Sequence, residues 1–260
     1  MRHFLAIITT ALIAFSGFVA VGFAQDKTFT SKQKAVIENM IRDYLISNPS
    51  VTQEIIQAWQ ADQRRHQAVQ QKEQIEKMRT AVIANKAEVF RSKFDFATGN
   101  LKGDVTMVEF FDYNCGFCKR SLPDILTLLK TDNNLRLVVK EFPILGPGSV
   151  YAARAAIASK KQNKYWEFHL ALMRTRGLSE AQVLRVATKI GLDVDKLKKD
   201  MEAPEVAQEI EANIKLANTL GVNGTPAFVV ADRPIPGAVG VEILRTQIAD
   251  VRAKGGCKIC

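Results

Sequence analysis

The sequence predicts an α/β protein in which a small sheet carries a helical insertion and is preceded by an N-terminal helical oligomerisation module. Three observations predict it. A β-branched and aromatic run, residues 105–111, leads into Cys115-Gly116-Phe117-Cys118 and then into Leu122, Ile125, Leu126 and Leu129 at helical spacing. Two more strand patterns, residues 135–139 and 227–230, enclose a block from 149 to 220 that reads as helix almost throughout. Ahead of these lies a long polar stretch with helical spacing and no Gly or Pro between residues 60 and 93.

Taken in order, residues 1–24 read as an export signal. Arg2 supplies the positive end, residues 4–21 the apolar core, and Gly22-Phe23-Ala24 a small-x-small cleavage site. Cleavage after Ala24 puts the remainder in an exported, disulfide-permissive compartment, with a retained membrane anchor as the alternative. Val36, Ile37, Met40, Ile41, Tyr44 and Leu45 then mark one face of a helix that Asn48-Pro49 ends. Ser50 with Gln53 reads as a capping box for a second helix carrying Val51, Ile55, Ile56 and Trp59. Residues 25–60 therefore form an apolar helical module that either folds back on the main domain or associates with copies of itself. Residues 61–93 favour the second outcome, because they read as an exposed helical linker. Ile75, Met78, Val82 and Val89 recur there at a weak heptad spacing, with Asn85 at one seam position.

The main domain is expected over residues 94–254, with the helical insertion at about 147–222. Phe94 and Phe96 alternate as in a strand, and Gly99-Asn100 and Gly103-Asp104 are turn signals. The insertion is broken near Gly177, Gly191 and Pro204. After it come a strand at 227–230, a turn at 232–236 and a last helix at 241–253, a hairpin-and-helix ending. Residues 255–260, Gly-Gly-Cys257-Lys-Ile-Cys260, form a separate tail.

The formal charge of +9 raises the question of nucleic acid. The basic residues fall in short pairs such as Arg64-Arg65 and Lys198-Lys199 without interleaved aromatics, so they read as solvated helix faces and no nucleic-acid partner is expected. The chemistry lies in the cysteines. Strand, Cys-x-x-Cys, helix is the thioredoxin-type order, which sharpens the fold class to a thioredoxin fold with a helical insertion. Cys115 then sits at a helix N-terminus, where unpaired N–H groups and the helix dipole stabilise a thiolate, and is the expected nucleophile.

The stretch Phe110-Phe-Asp-Tyr-Asn-Cys-Gly-Phe-Cys-Lys119, with Pro123 five residues beyond the second cysteine and Thr225-Pro226 after the insertion, resembles the DsbA-like family of exported thiol-disulfide oxidoreductases. Within it, Ile37-Glu-Asn-Met-Ile-Arg-Asp-Tyr-Leu-Ile-Ser-Asn-Pro49 is similar to the N-terminal module of the ScsC branch, named for suppression of copper sensitivity. The resemblance implies Cys115 as nucleophile and Cys118 as resolving thiol, with their disulfide as the redox-active group and no separate cofactor. It implies a cis bond at Pro226 that presents the Thr225 backbone to substrate; a trans proline opening an edge strand is the other reading. It also implies Glu109 as an acid beneath the active site that relays the Cys118 proton, against an outward-facing strand glutamate. The implied partners are unfolded or misoxidised exported proteins, a membrane thiol-disulfide reductase or oxidase, and further copies of the chain, as a trimer. The implied location is periplasmic.

Disulfide isomerase, supported by self-association through the N-terminal module, is the activity the resemblance favours, and Gly116-Phe117, lacking the His of the strongly oxidising Pro-His version, points to a milder protein. Its rivals are a monomeric dithiol oxidase and a Cu(I)-binding copper-tolerance protein. Cys257 and Cys260 fall outside the family pattern. A small-loop structural disulfide ranks first for them, ahead of a Cu(I) or Zn site and an auxiliary redox pair reaching Cys115. His3 in the signal, His66 in the linker and His169 in the insertion have no ligand spacing, and His66 and His169 read as ordinary helix residues.

Overall fold

The computed structural model describes residues 29–260, so the expected signal, its cleavage site after Ala24, and His3 lie outside the described residues. The chain divides into two compact units, Met1–Arg64 and Arg65–Cys260. In the first, helix α1 (Ser31–Ser47) is closed at its start by a reciprocal cap: Gln33 N–H donates to Thr30 Oγ1 while Thr30 N–H donates to Gln33 Oε1. Pro49 stops it and opens α2 (Pro49–Ala84) at the position where a missing N–H costs nothing. Val51 and Thr52 N–H donate to Asn48 O, so the helix starts at Asn48-Pro49 and Ser50 already lies in its first turn. The capping box expected at Ser50 is thereby displaced. Val36, Met40, Ile41 and Tyr44 of α1 and Ile55, Ile56 and Trp59 of α2 are all exposed.

The boundary expected at residue 60 is not the end of an element, because α2 runs through it unbroken. Nor is the whole of 61–93 an exposed linker. Met78 and Val82 are buried, as are Val89 and Phe90 of α3 (Lys86–Phe90), and all four pack with the sheet residues Val108, Phe110 and Val138. The spacing that read as a heptad seam is the stripe of an amphipathic helix laid on a sheet, which uses the same three- and four-residue steps.

The sheet has five strands: β1 (Phe96–Gly99), β2 (Val105–Phe111), β3 (Leu135–Glu141), β4 (Ala227–Val230) and β5 (Arg233–Pro236), in the order β1-β3-β2-β4-β5. β2 and β3 are parallel and joined through α4 (Gly116–Thr131); the other pairs are antiparallel. The turn expected over 232–236 is confined to Ala231-Asp232, with Ala231 in the left-handed region at φ 53°. Residues 233–236 pair with β4 as an edge strand, where Pro234 and Pro236 are tolerated because one side of the strand has no neighbour to serve.

Both central strands are buried along their full length and alternate between two layers. Met107 and Phe111 of β2, with Leu137 and Val139 of β3, face α4 and α10 (Val241–Ala253). Val108, Phe110 and Val138 face α2, α3 and α9 (Pro204–Leu220). The insertion supplies α5 (Pro147–Ala158), α6 (Tyr165–Met173), α7 (Glu180–Lys189) and α8 (Val194–Met201) beside the active-site end of the sheet. Gly148 lets α5 press against the loop before α7, since a Cβ there would collide with the Leu178 carbonyl.

Candidate active site

The loop leaving β2 is held by one buried carboxylate. Asp112 Oδ1 accepts Asn114 N–H at 2.7 Å and Ser149 Oγ–H at 2.7 Å, and Oδ2 accepts the N–H groups of Ile144 and Leu145 at 2.8 and 2.9 Å. Asn114 extends the frame to the insertion by accepting Leu178 N–H at 2.8 Å. These bonds fix the chain at the point where it becomes helix, and Cys115 is the N-cap of α4. Its Sγ accepts Cys118 N–H at 3.4 Å and donates to the Thr225 carbonyl oxygen at 3.2 Å; only the first of these bonds survives deprotonation. Both thiols are free. Cys115 is 5% exposed and Cys118 0%, so the first sulfur alone is within reach of an incoming group. Pro123 lies inside α4, as expected.

Opposite the cysteines, Thr225-Pro226 is the cis peptide bond anticipated from the sequence. It follows the left-handed Gly221 that closes α9 and borders a 360 Å³ cleft, whose other wall is Ile75 and Met78 of α2. Glu109 sits on the face of β2 shared with Met107 and Phe111, so it points inward and the outward-facing alternative is ruled out. Its Oε1 has no hydrogen-bond partner among the described residues. Burial, and secondarily the charge at Cys115, pushes its carboxyl up to about 8. Burial, followed by the Glu109 charge, pushes the Cys118 thiol up as well.

A second buried cluster, Glu141 with Tyr113, Tyr165 and His169, has no counterpart among the residues expected from the sequence. Glu141 Oε1 accepts the hydroxyls of Tyr113 and Tyr165 at 2.9 and 2.8 Å, and Tyr113 Oη lies 3.1 Å from His169 Nδ1. Tyr113 has one hydroxyl proton; with that proton on Glu141, Nδ1 of His169 must be the donor. Burial holds Glu141 well above the usual carboxylate range and lowers His169 to about 3, so the imidazole is neutral. The available signals were Glu141 at the end of an apolar strand run and the four-residue spacing of Tyr165 and His169.

Cys257 and Cys260 are disulfide-bonded with Cα atoms 5.6 Å apart. Cys257 N–H donates to Asp104 O and Arg91 Nε–H to Cys260 O, which fixes the tail at the start of β2. Cys115 follows the other end of that seven-residue strand, about 23 Å away at 3.3 Å per residue. The auxiliary pair reaching Cys115 within one chain is therefore not formed. Among the described residues no three His, Cys, Asp or Glu side chains gather as a metal set.

An N-capping thiol, a buried partner three residues on and a cis proline across from both define a dithiol protein of the thioredoxin fold. Residues 106–249 match the DSBA-like thioredoxin domain, and the chain belongs to that family. A thioredoxin-like oxidoreductase from Silicibacter pomeroyi is 47% identical, with a TM-score of 0.64 over 65% of this chain and 98% of that one. A linker-deletion variant of Proteus mirabilis ScsC, 21% identical, shares the fold with a TM-score of 0.65 over 88% of this chain and 99% of its own. Among curated proteins, the Na(+)/H(+) antiporter NhaA 3 of Salinispora tropica is 30% identical over 171 residues, which are 62% of this chain and 26% of the antiporter. The chain thus spans about a quarter of the length of the first curated relatives it matches.

Proposed function

We propose that this chain is an exported, periplasmic thiol-disulfide oxidoreductase that exchanges disulfides with protein substrates through Cys115 and Cys118, and that it works as a self-associating disulfide isomerase. The observation that carries the exchange chemistry is the asymmetry of the two sulfurs, Cys115 slightly exposed beside the Thr225 carbonyl and Cys118 fully sealed. In the reduced protein the Cys115 thiolate attacks a substrate disulfide; a mixed disulfide forms and the substrate's other sulfur leaves as thiolate. A different substrate thiolate then displaces Cys115, which returns unchanged while the substrate's pairing is altered. Should the intermediate stall, Cys118 loses its proton to Glu109 and displaces the substrate, and two electrons pass from the dithiol to the substrate. The backbone beside the cis bond at Pro226 offers strand-like pairing to a passing chain without regard to its side chains.

Self-association is supported by the apolar residues that α1 and the start of α2 leave exposed. Met40 is 65% exposed and Trp59 62%, a pattern that marks a surface awaiting a partner. Two or more active sites in one assembly, a trimer by resemblance, suit the holding and reshuffling of a misoxidised protein, with a membrane reductase keeping the dithiol reduced.

The test is refolding of a scrambled-disulfide substrate. The unaltered protein should restore native activity and elute as an oligomer, Cys115→Ser should restore none, and Met40→Lys with Trp59→Lys should elute as monomer with isomerase activity lost. A monomeric M40K/W59K protein that still reshuffled disulfides would leave only the monomeric oxidoreductase reading. Stoichiometric Cu(I) uptake, lost in Cys115→Ser, from a protein without exchange activity would favour the copper-tolerance reading.

A further inference from the structure

Beside Asn114 and Gly116, which flank Cys115, lies a second cleft that Thr225 and Pro226 do not line and that the exchange chemistry leaves unassigned. It encloses about 740 Å³ between α4 and the connection from α6 to α7. Its floor includes Leu122 and Met173, and its rim carries Lys119, Arg120, Arg174 and Arg176. Lys119 spends its charge on the wall itself: Nζ donates to the carbonyls of Leu172 and Met173 at 3.2 and 3.4 Å, and to that of Thr175, closing the end of α6.

The three arginines are spent on nothing comparable. Arg120 stacks its guanidinium over the Phe117 ring, 4.2 Å from the centroid. A Cβ placed on Gly116 would lie 3.6 Å from Arg120 Nη1, so this charge sits directly against the backbone between the two cysteines. Arg174 and Arg176 are exposed. Among the described residues no carboxylate pairs with any of the three, whereas Arg79, Arg154, Arg233 and Arg252 elsewhere in the same unit each hold an Asp or Glu. No acidic residue lines the cleft.

We infer that this cleft docks an acidic stretch of the polypeptide whose disulfide is exchanged at Cys115, its carboxylates on Arg120, Arg174 and Arg176 and an adjoining apolar side chain on the floor. The inference rests on the exchange reading above and deepens it by naming the substrate's chemistry. Main-chain pairing at Thr225 is blind to side chains, so a preference among substrates has to come from a neighbouring surface, and this one is cationic and touches the active-site dipeptide. Unpaired rim charges of one sign raise the rate of encounter with the opposite sign and make it fall with salt.

The test uses the full, reduced protein and two peptides of equal length, each closed by one internal disulfide, one flanked by Asp and Glu and the other by Lys. In each reaction Cys115 attacks the peptide disulfide, Cys118 displaces the peptide, and two electrons leave the protein dithiol for the peptide. The expected result at low ionic strength is about tenfold or faster reduction of the acidic peptide, a preference collapsing toward one in 0.5 M salt, where the screening length is roughly 4 Å. In R174E/R176E the preference should invert. Equal rates for the two peptides with the unaltered protein, or an undiminished acidic preference in R174E/R176E, would overturn the docking inference. Bis(2-hydroxyethyl) disulfide, a linear uncharged disulfide supplied in excess, separates the two levels: if it too fails to oxidise the unaltered protein, the exchange reading falls and the docking inference with it.

Discussion

Cys118 gives its backbone N–H to the sulfur of Cys115 while its own sulfur stays fully buried behind it. That arrangement leaves Cys115 the more accessible of the two sulfurs. With Cys118→Ser, incubation with a disulfide-bonded substrate should accumulate a mixed disulfide through Cys115, visible as a high-mass band on a non-reducing gel. With Cys115→Ser no such band should form. Equal bands from both variants would mean that Cys118 is as reachable as Cys115.

Glu109 adds a pH dependence to folding stability. Its carboxyl is protonated in the folded chain up to about pH 8 and ionised in the unfolded chain above about 4.5. Between these values the folded state holds the extra proton, so stability falls as the pH rises through that window. Glu109→Gln should flatten the slope between pH 5 and 8 and raise stability at pH 7 by up to about 3 kcal/mol, at 1.36 kcal/mol per unit. Urea titrations across that range would show it; an unchanged slope would place the titration elsewhere.

The same substitution should have a kinetic cost. Glu109 accepts the Cys118 proton only when ionised, so the step in which Cys118 resolves a mixed disulfide should accelerate as the pH rises toward 8, with its midpoint below 8 because the mixed disulfide removes the charge at Cys115. In Glu109→Gln that limb should be missing and the step slower by roughly 100-fold. Stopped-flow release of a fluorescent thiol from the preformed mixed disulfide measures it.

Lys140 and Asp95 form an ion pair at 2.6 Å with side chains only 0% and 4% exposed. Burial pushes Asp95 up and Lys140 down, against the pull of the pair itself. Lys140→Met would strand the carboxylate, whose Oδ2 already lacks a partner among the described residues, at a cost of about 3–5 kcal/mol. Lys140→Met with Asp95→Asn should recover most of that loss in denaturant unfolding.

The tail disulfide closes a very short loop, which by chain entropy is worth roughly 2 kcal/mol. Cys257→Ser/Cys260→Ser should lower the melting temperature by a few degrees and leave the rate of disulfide exchange unchanged, because the tail is anchored at Asp104, across the sheet from Cys115. A fall in exchange rate with folding intact would tie the second pair to the first.

Strand β2, helix α4 and the cysteines at its N-cap and in its first turn are legible in the sequence because apolar periodicity switches there from two to helical spacing within a few residues. Residues 233–236 are not: two prolines in four positions signal a turn, and only the edge location reconciles them with a strand. Met78 and Val82 carry the right periodicity but leave its partner open, since a helix seam and a sheet accept the same stripe. Glu109 is legible by resemblance and Glu141 only as a polar end to an apolar strand run, because a strand pattern does not say which polar position has phenols waiting behind it.

The bonds around Asp112 settle where the redox site ends and its support begins. The carboxylate pins the loop through four donors that lie outside the dipeptide, and Gly116 and Phe117 project from the frame into solvent. A side chain on Gly116 would meet only the far end of Arg120, at ordinary van der Waals distance. The dipeptide behaves as an interchangeable insert. Evolution or an engineer can retune the electron affinity of the pair there, by adding or removing a donor to sulfur, without renegotiating the architecture that holds it.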